Sequence, residues 1–334
     1  MTTRRVIIIA SGCLLLLASI GLVIFREKRL VDDSHTKATL YLNWIFTATF
    51  SGDILAAERY AHDYELSIHL EAGGEGRDPI KLVRDDEFGV ASSDEIIRAI
   101  DKGVHIVIIG VLNDTHPAAF AALSQSGITT PKDFEGKRVG VLPFGATGLI
   151  YSALCDAAGV DRHKVQEVVI TPDLRPFLAG TVNDVQPIFI YDEPVTFDQR
   201  AIKYNVIDPK QYGVNFKGQA YFTTRHTVTH NNALVKKFLG AIVDGWAATA
   251  MNPETAIAAL KRLSPSSDSV RERELLRRGI GFFVASGHQI LATDPSTWSG
   301  MLDTLVKTKT ISKPMNTSVF LSMEPLQQMY AERH

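Results

Sequence analysis

The sequence predicts an α/β protein folded as two lobes behind an N-terminal apolar segment, and three observations carry that prediction. Strand-like apolar runs alternate with helical ones along most of the chain, the pattern of largely parallel sheets. The alternation comes in two sets, parted by the polar stretch SQSGITTPKDFEGK, and each set is too small for one large sheet. Before both sets, MTTRR is followed by twenty uncharged residues, VIIIASGCLLLLASIGLVIF, Val6 to Phe25. Hydrophobic residues make up 45% of the 334 and charged residues 22%, a folded composition rather than a disordered one. The net charge of −2 supplies no electrostatic footprint for nucleic acid, and nothing repeats at a solenoid period.

Twenty helical residues reach about 30 Å, the hydrocarbon thickness of a bilayer. REKR follows the run where a cleavable signal peptide has a small-residue cleavage site. An uncleaved anchor is therefore favoured over a cleaved signal or lipidation at Cys13. Arg4 and Arg5 on one side balance Arg26, Lys28 and Arg29 on the other, so charge alone leaves the orientation open. Residues 1–29 are read as the anchor and 30–37 as a polar tether.

ATLYLNW reads as a strand, ILAAERYAHDY as a helix, LSIHLEAGG as a strand closed by glycines, and DPIKLV as a short helix. FGVAS is a short buried strand. SDEIIRAIDKG is a helix with Ser93 or Asp94 at its cap and Gly103 beyond its end. HIVIIGVL is a continuous apolar run of the buried parallel kind. In the second set RVGVLP is a strand, FGATG a glycine turn, LIYSALCDAAG a helix, KVQEVVIT a strand and RPFLAG a brief helix. VQPIFIY and KYNVID are further strands, and after Thr223 the pattern becomes helical, as in NNALVKKFLGAIVDGWAATAM. Cys155, inside YSALCDAAG, reads as a small core residue.

Ligands of open α/β sheets collect beyond the carboxyl ends of strands. That rule places Asn43-Trp44, Ser92-Ser93-Asp94, Gly145 to Gly148 and Tyr191 to Glu193 in the candidate cleft.

The order of motifs resembles the NMT1/THI5-like branch of periplasmic substrate-binding proteins, relatives of the alkanesulfonate- and thiamine-precursor-binding proteins. The residues that carry it are NW at 43–44, FSG at 50–52, FGVASSDEIIRAIDKGV at 88–104 and GITTPKDFEGKRVGV at 127–141. AGVDRHKV at 158–165, LAGTVND at 178–184, YDEP at 191–194, YGVNFKGQAYFTT at 212–224 and VKKFLGAIVDGWAATAMNPETAI complete the series. The resemblance implies a type II periplasmic-binding-protein fold, with residues 38–125 plus 225–334 in one lobe and 126–224 in the other. It implies a small-molecule ligand delivered to separately encoded ABC permease and ATPase subunits, and a binding domain on the extracytoplasmic side of the membrane.

Within that frame Trp44 is expected to stack on a flat ring whose edge Asn43 fixes by hydrogen bonds. Phe50 either packs on the same ligand or staples a helix entry. Ser92, Ser93 and Asp94 serve a ligand or cap the helix they precede. Gly145 and Thr147 lie in a turn that offers backbone amides to an anion at a helix start. Glu193 is expected to accept two hydrogen bonds from an amino-heterocycle such as a pyrimidine, with Tyr191 supplying a face or hydroxyl. Tyr221 is a second aromatic candidate.

His226 and His230 are four apart, but Thr-Val-Thr between them and the want of a third ligand argue against a metal. No G-x-S-x-G elbow or H-E-x-x-H stands in the sequence, so no catalytic residue and no cofactor is expected. The related yeast-type pyrimidine synthases carry a cofactor-bonding lysine and a sacrificial histidine in the motif matching FGVASSDE, and a cysteine cluster further on. Ala91 and Glu95 occupy those two positions here, and Cys155 is the only cysteine after the anchor. An alanine forms no Schiff base. That synthase and a tethered ligand sensor remain the alternatives.

Overall fold

Ten strands form two five-stranded sheets among the residues described by the computed structural model, which are 35–333 apart from 75, 143, 144 and 286. The expected anchor, Val6–Phe25, lies outside the described residues. Among the described residues no helix is long and apolar enough to cross a membrane. The first sheet contains β1 (Thr36–Tyr41), β2 (Leu66–Glu71), β3 (Phe88–Ser92), β4 (Ile106–Val111) and β10 (Gln219–Thr224) in the order β2-β1-β3-β10-β4. The second contains β5 (Ala118–Leu123), β6 (Arg138–Val141), β7 (Gln166–Val169), β8 (Val185–Phe189) and β9 (Tyr204–Ile207) in the order β7-β6-β8-β5-β9.

The α/β architecture matches the alternation read in the sequence, but two strands change lobes. Ala118–Leu123, expected with the first lobe, pairs antiparallel with β8 and β9 in the second sheet. Gln219–Thr224, expected with the second lobe, pairs antiparallel with β3 and β4 in the first. The crossings therefore fall at residues 112–117 and 213–218, ahead of the expected boundaries at 125 and 224. The reason is geometric. A helical connection returns the chain to make a parallel pair, as for β1 with β2 and β6 with β7, whereas a strand entering from the other lobe runs the opposite way.

The two crossings are bonded to each other. Gly218 N donates to Asn113 O at 2.8 Å, and His116 N to Phe216 O at 2.6 Å. Lys217, only 1% exposed, donates its ammonium to the Asp114 carbonyl at 3.0 Å and to Asp114 Oδ1 at 2.8 Å. A buried ammonium is tolerated only with such partners.

The first lobe's core is closed by helices. Ser51–Leu55 packs against the long helix Asn232–Met251. Gly52 is required there, because a Cβ would lie 2.2 Å from the Trp246 ring. The Trp246 indole then donates to the Tyr221 hydroxyl at 2.9 Å, which donates to Asp53 Oδ1 at 2.6 Å. A second apolar cluster runs from β3 and β4 of the first lobe through Trp298, Leu305 and Phe320 to Phe120 and Leu154 of the second. Cys155 is buried within it.

Candidate functional site

Asn43 beyond β1, Ser92 and Asp94 at the end of β3, and Gln219 at the start of antiparallel β10 form one polar rim. Gln219 is the register partner of Ser92. Its Nε2 donates at 3.1 Å to Asn43 Oδ1, just beyond β1. Because β3 lies between β1 and β10, the glutamine spans the end of β3 to reach that asparagine. Ser92 Oγ donates to Asp94 Oδ1 at 2.5 Å, while Ser93 Oγ donates to Gly218 O at 2.7 Å. The side-chain donors of Ser92 and Ser93 are therefore committed. Asp94 Oδ2 and Gln219 Oε1 are buried acceptors with no partner among the described residues, the kind of group that demands an explanation.

Ser92 occupies the cap position of the helix Ser93–Asp101, yet its own side chain bonds no backbone amide there. The cap expected at Ser93 or Asp94 falls one residue earlier, at Ser92, whose hydroxyl donates to Asp94 instead. Burial pushes the Asp94 carboxyl above its ordinary range. Glu95 is pushed up to about 7, first by burial and then by the neighbouring Asp94 charge.

Trp44 adjoins this rim in sequence and is 41% exposed. Its backbone is held by Gly73, whose N–H donates to Trp44 O at 2.9 Å. A Cβ on that glycine would lie 2.2 Å from Leu42 O and 2.6 Å from Trp44 N. The fold thus fixes the main chain of Trp44 and leaves its ring accessible. Phe50 and Tyr221 are placed otherwise: both are 0% exposed and belong to the first-lobe core. Burial raises Asp53, the carboxyl beneath Tyr221, to about 7, and its Oδ2 has no partner.

In the second lobe, Gly145 adopts φ +71°, a left-handed conformation that glycine takes without strain. It leads into the helix Thr147–Ala157, whose first residues carry no side-chain cap. Among the described residues Thr147 Oγ1 is buried and unpartnered, beside helix-start amides that have no intrahelical partner.

The YDEP segment behaves differently. Tyr191 is buried, with its ring 5.6 Å from that of Phe282 and 5.3 Å from that of Phe283. Asp192 pairs with Arg271. Glu193 opens the helix Glu193–Gln199 and accepts from Phe189 N at 2.6 Å. Burial and the adjacent Asp192 charge raise its carboxyl to about 8. Each of these residues has a partner within the chain.

Sequence reasoning missed Gln219, Lys217 and His116. Gln219 sat in the quoted segment QAYFTT, and its role shows only once β10 lies beside β3. His116 Nδ1 accepts from Ala118 N at 3.1 Å, which leaves the neutral ring's proton on Nε2. Burial lowers its pKa to about 4. The ring borders a cavity of about 40 Å³ shared with Ile190 and Phe282. A wider cavity of about 300 Å³ lies away from the strand ends, between Ala153 and Asp156, Tyr212 to Phe216, and Lys307.

The sequence model of the NMT1/THI5 like family matches residues 48–256. The chain belongs to the NMT1/THI5-like family. Its curated relatives include a 4-amino-5-hydroxymethyl-2-methylpyrimidine phosphate synthase of Legionella pneumophila, 27% identical over 256 residues, covering 74% of this chain and 80% of that protein. A riboflavin-binding protein of Chloroflexus aurantiacus is 23% identical over 224 residues, covering 64% of this chain and 62% of that protein. Among solved structures, the periplasmic aliphatic sulphonate binding protein of Escherichia coli superposes with a TM-score of 0.67 at 17% identity, covering 87% of this chain and 92% of that one. The likeness to that structure shows the fold: this NMT1/THI5-like chain has the periplasmic-binding-protein architecture.

Proposed function

We propose that this protein captures a small heterocycle bearing N–H donors between its lobes and passes it to a membrane transporter. The observation that carries this reading is the pair of buried, unpartnered acceptors, Asp94 Oδ2 and Gln219 Oε1, on the rim beside exposed Trp44. A ligand with N–H groups satisfies such acceptors, and a flat ring covers the indole. The helix start at Thr147 offers donors to an oxygen-rich end of the same ligand. Asn43, Ser92, Ser93, Gly145 and Thr147 complete the proposed contact set, while Tyr191, Glu193, Phe50 and Tyr221 support it from behind. Delivery to an ABC permease and ATPase, tethering by Val6–Phe25 and an extracytoplasmic binding domain belong to the same reading. The family and its solute-binding relatives support it.

The test is a thermal-shift titration of the full chain with 4-amino-5-hydroxymethyl-2-methylpyrimidine, riboflavin and an alkanesulfonate. A ligand at about 100 times its dissociation constant adds roughly 2.7 kcal/mol, a rise of several degrees in midpoint. The pyrimidine is expected to give that rise, and Trp44→Ala and Asp94→Ala to remove it. A rise with the sulfonate alone would overturn the donor-bearing ligand, and a rise untouched by both substitutions would overturn the site.

The 27% identity to a pyrimidine phosphate synthase favours a second reading, an enzyme making the same kind of ring. The motif FGVASSDE, with Ala91 and Glu95, does not fit the Schiff-base lysine and histidine of the yeast-type synthases. Pyrimidine product from the purified protein, or the absorbance of lysine-bound pyridoxal phosphate, would decide for the enzyme.

A further inference from the structure

The helix Ser269–Phe283 belongs to the first lobe by its packing. Leu275, Leu276 and Phe283 lie in the first-lobe core. Glu272 Oε2 accepts from Ala48 N at 2.7 Å, beside the start of the first helix. Asn113 Nδ2, on the first crossing, donates to Phe282 O at 3.1 Å.

The same helix also grips the second lobe. Arg271 pairs with Asp192, and Arg278 donates to Asp198 Oδ2 at 2.8 Å. Residues 271 and 278 are seven apart, close to two helical turns, so both guanidinium groups leave one face. Between the two pairs the contact is apolar. Tyr191 and Val195 of the second lobe join the first-lobe cluster, and Tyr191 meets Phe282 and Phe283 edge to face. Gly279 lets the ring approach, since a Cβ there would stand 3.3 Å from Tyr191 Cγ. Arg278 is steadied in turn by Glu274 Oε1 at 2.7 Å.

We propose that the helix Ser269–Phe283 is a clasp, which fastens the second lobe at the Tyr191–Asp198 rim and must release both arginine–aspartate pairs before the lobes part. One partly exposed ion pair holds little. Two on one helix face, flanking an aromatic seam that excludes water, act together. The clasp is independent of the ligand's identity, because every group in it belongs to the chain.

The experiment measures the distance between spin labels at Lys81→Cys in the first lobe and Arg200→Cys in the second, both exposed positions, in the full chain carrying Cys13→Ser. Cys155 is buried and stays unlabelled. Arg271→Met/Arg278→Met is expected to add a longer-distance population, raising the long-to-short ratio about tenfold. Arg273→Met, whose partner Glu254 lies on the neighbouring helix Pro253–Leu263, is expected to leave the distribution as in the unmodified protein. Asp192→Asn/Asp198→Asn removes the same pairs from the other lobe and is expected to reproduce the shift should the arginine variant fail to fold. An unchanged distribution in whichever pair variant folds would overturn the clasp, as would an equal shift with Arg273→Met.

Discussion

The first-lobe rim and the second-lobe rim hold the same topological address, at the carboxyl ends of sheet strands, and they are finished in opposite ways. At Asn43, Ser92, Asp94 and Gln219 the side chains bond to one another and still leave two buried acceptors unused. At Tyr191, Asp192 and Glu193 the ring packs on Phe282 and Phe283, one carboxylate pairs with Arg271 and the other accepts from Phe189 N. The position of a residue at a strand end therefore says where a ligand can lie. The count of unsatisfied partners says where one is wanted.

The sharpest way to break the comparison is Tyr191→Ala. A ring buried in an aromatic seam costs about 3–4 kcal/mol when truncated, so chemical denaturation should show a loss of that order. A Tyr191 that only faced a ligand would leave stability unchanged.

The pH dependence tests the buried carboxyls of both lobes. Asp53 is raised to about 7 and Glu193 to about 8, both by burial first. Their folded pKa values lie above the unfolded ones, so between about pH 4.5 and pH 8 the folded state binds more protons. Their contribution is fully present below the unfolded pKa and is lost as pH rises through the folded value. Stability should accordingly fall from pH 5 to pH 8, by up to about 1.4 kcal/mol per pH unit for each group. Asp53→Asn and Glu193→Gln should each flatten that slope in denaturation curves taken across the window. A slope that neither substitution alters would remove both groups as its source.

Gln219→Ala should cost about 1 kcal/mol, the usual net worth of one hydrogen bond, and should free Asn43. Its effect on pyrimidine affinity should exceed its effect on stability, which a titration and a melt of the same sample compare directly. The smallest stability change belongs to Trp44→Ala. An exposed ring at a fixed backbone position should shift stability by less than about 0.5 kcal/mol, while abolishing the ligand-induced rise in midpoint.

Much of the fold was legible because local pattern and tertiary role agree in β1, β3, β4, β6 and β8, whose apolar runs are bounded by turn residues. β5 was not. Its sequence AAFAAL is rich in alanine, which strands disfavour on average, and only the slot between β8 and β9 makes it a strand. β10 was visible as a motif but assigned to the wrong lobe, because nothing within QAYFTT states which sheet it will enter. The candidate site divides in the same manner. Asn43, Trp44 and Ser92 to Asp94 follow from strand-end position, whereas Gln219 emerges only from its register with Ser92. The helix SVRERELLRRGIGFF reads locally as a solvated charged face. Its arginine partners lie some eighty positions away in sequence, beyond the reach of any periodic pattern.

The paired crossings have a mechanical consequence. Two separate connecting strands would let one lobe slide, tilt or swivel against the other. Here Lys217, locked onto Asp114, and the rungs Gly218–Asn113 and Phe216–His116 turn two strings into a single strip. A strip folds readily across its width and resists torsion along its length. Any bending between the lobes is thus confined to the one direction that the strip allows.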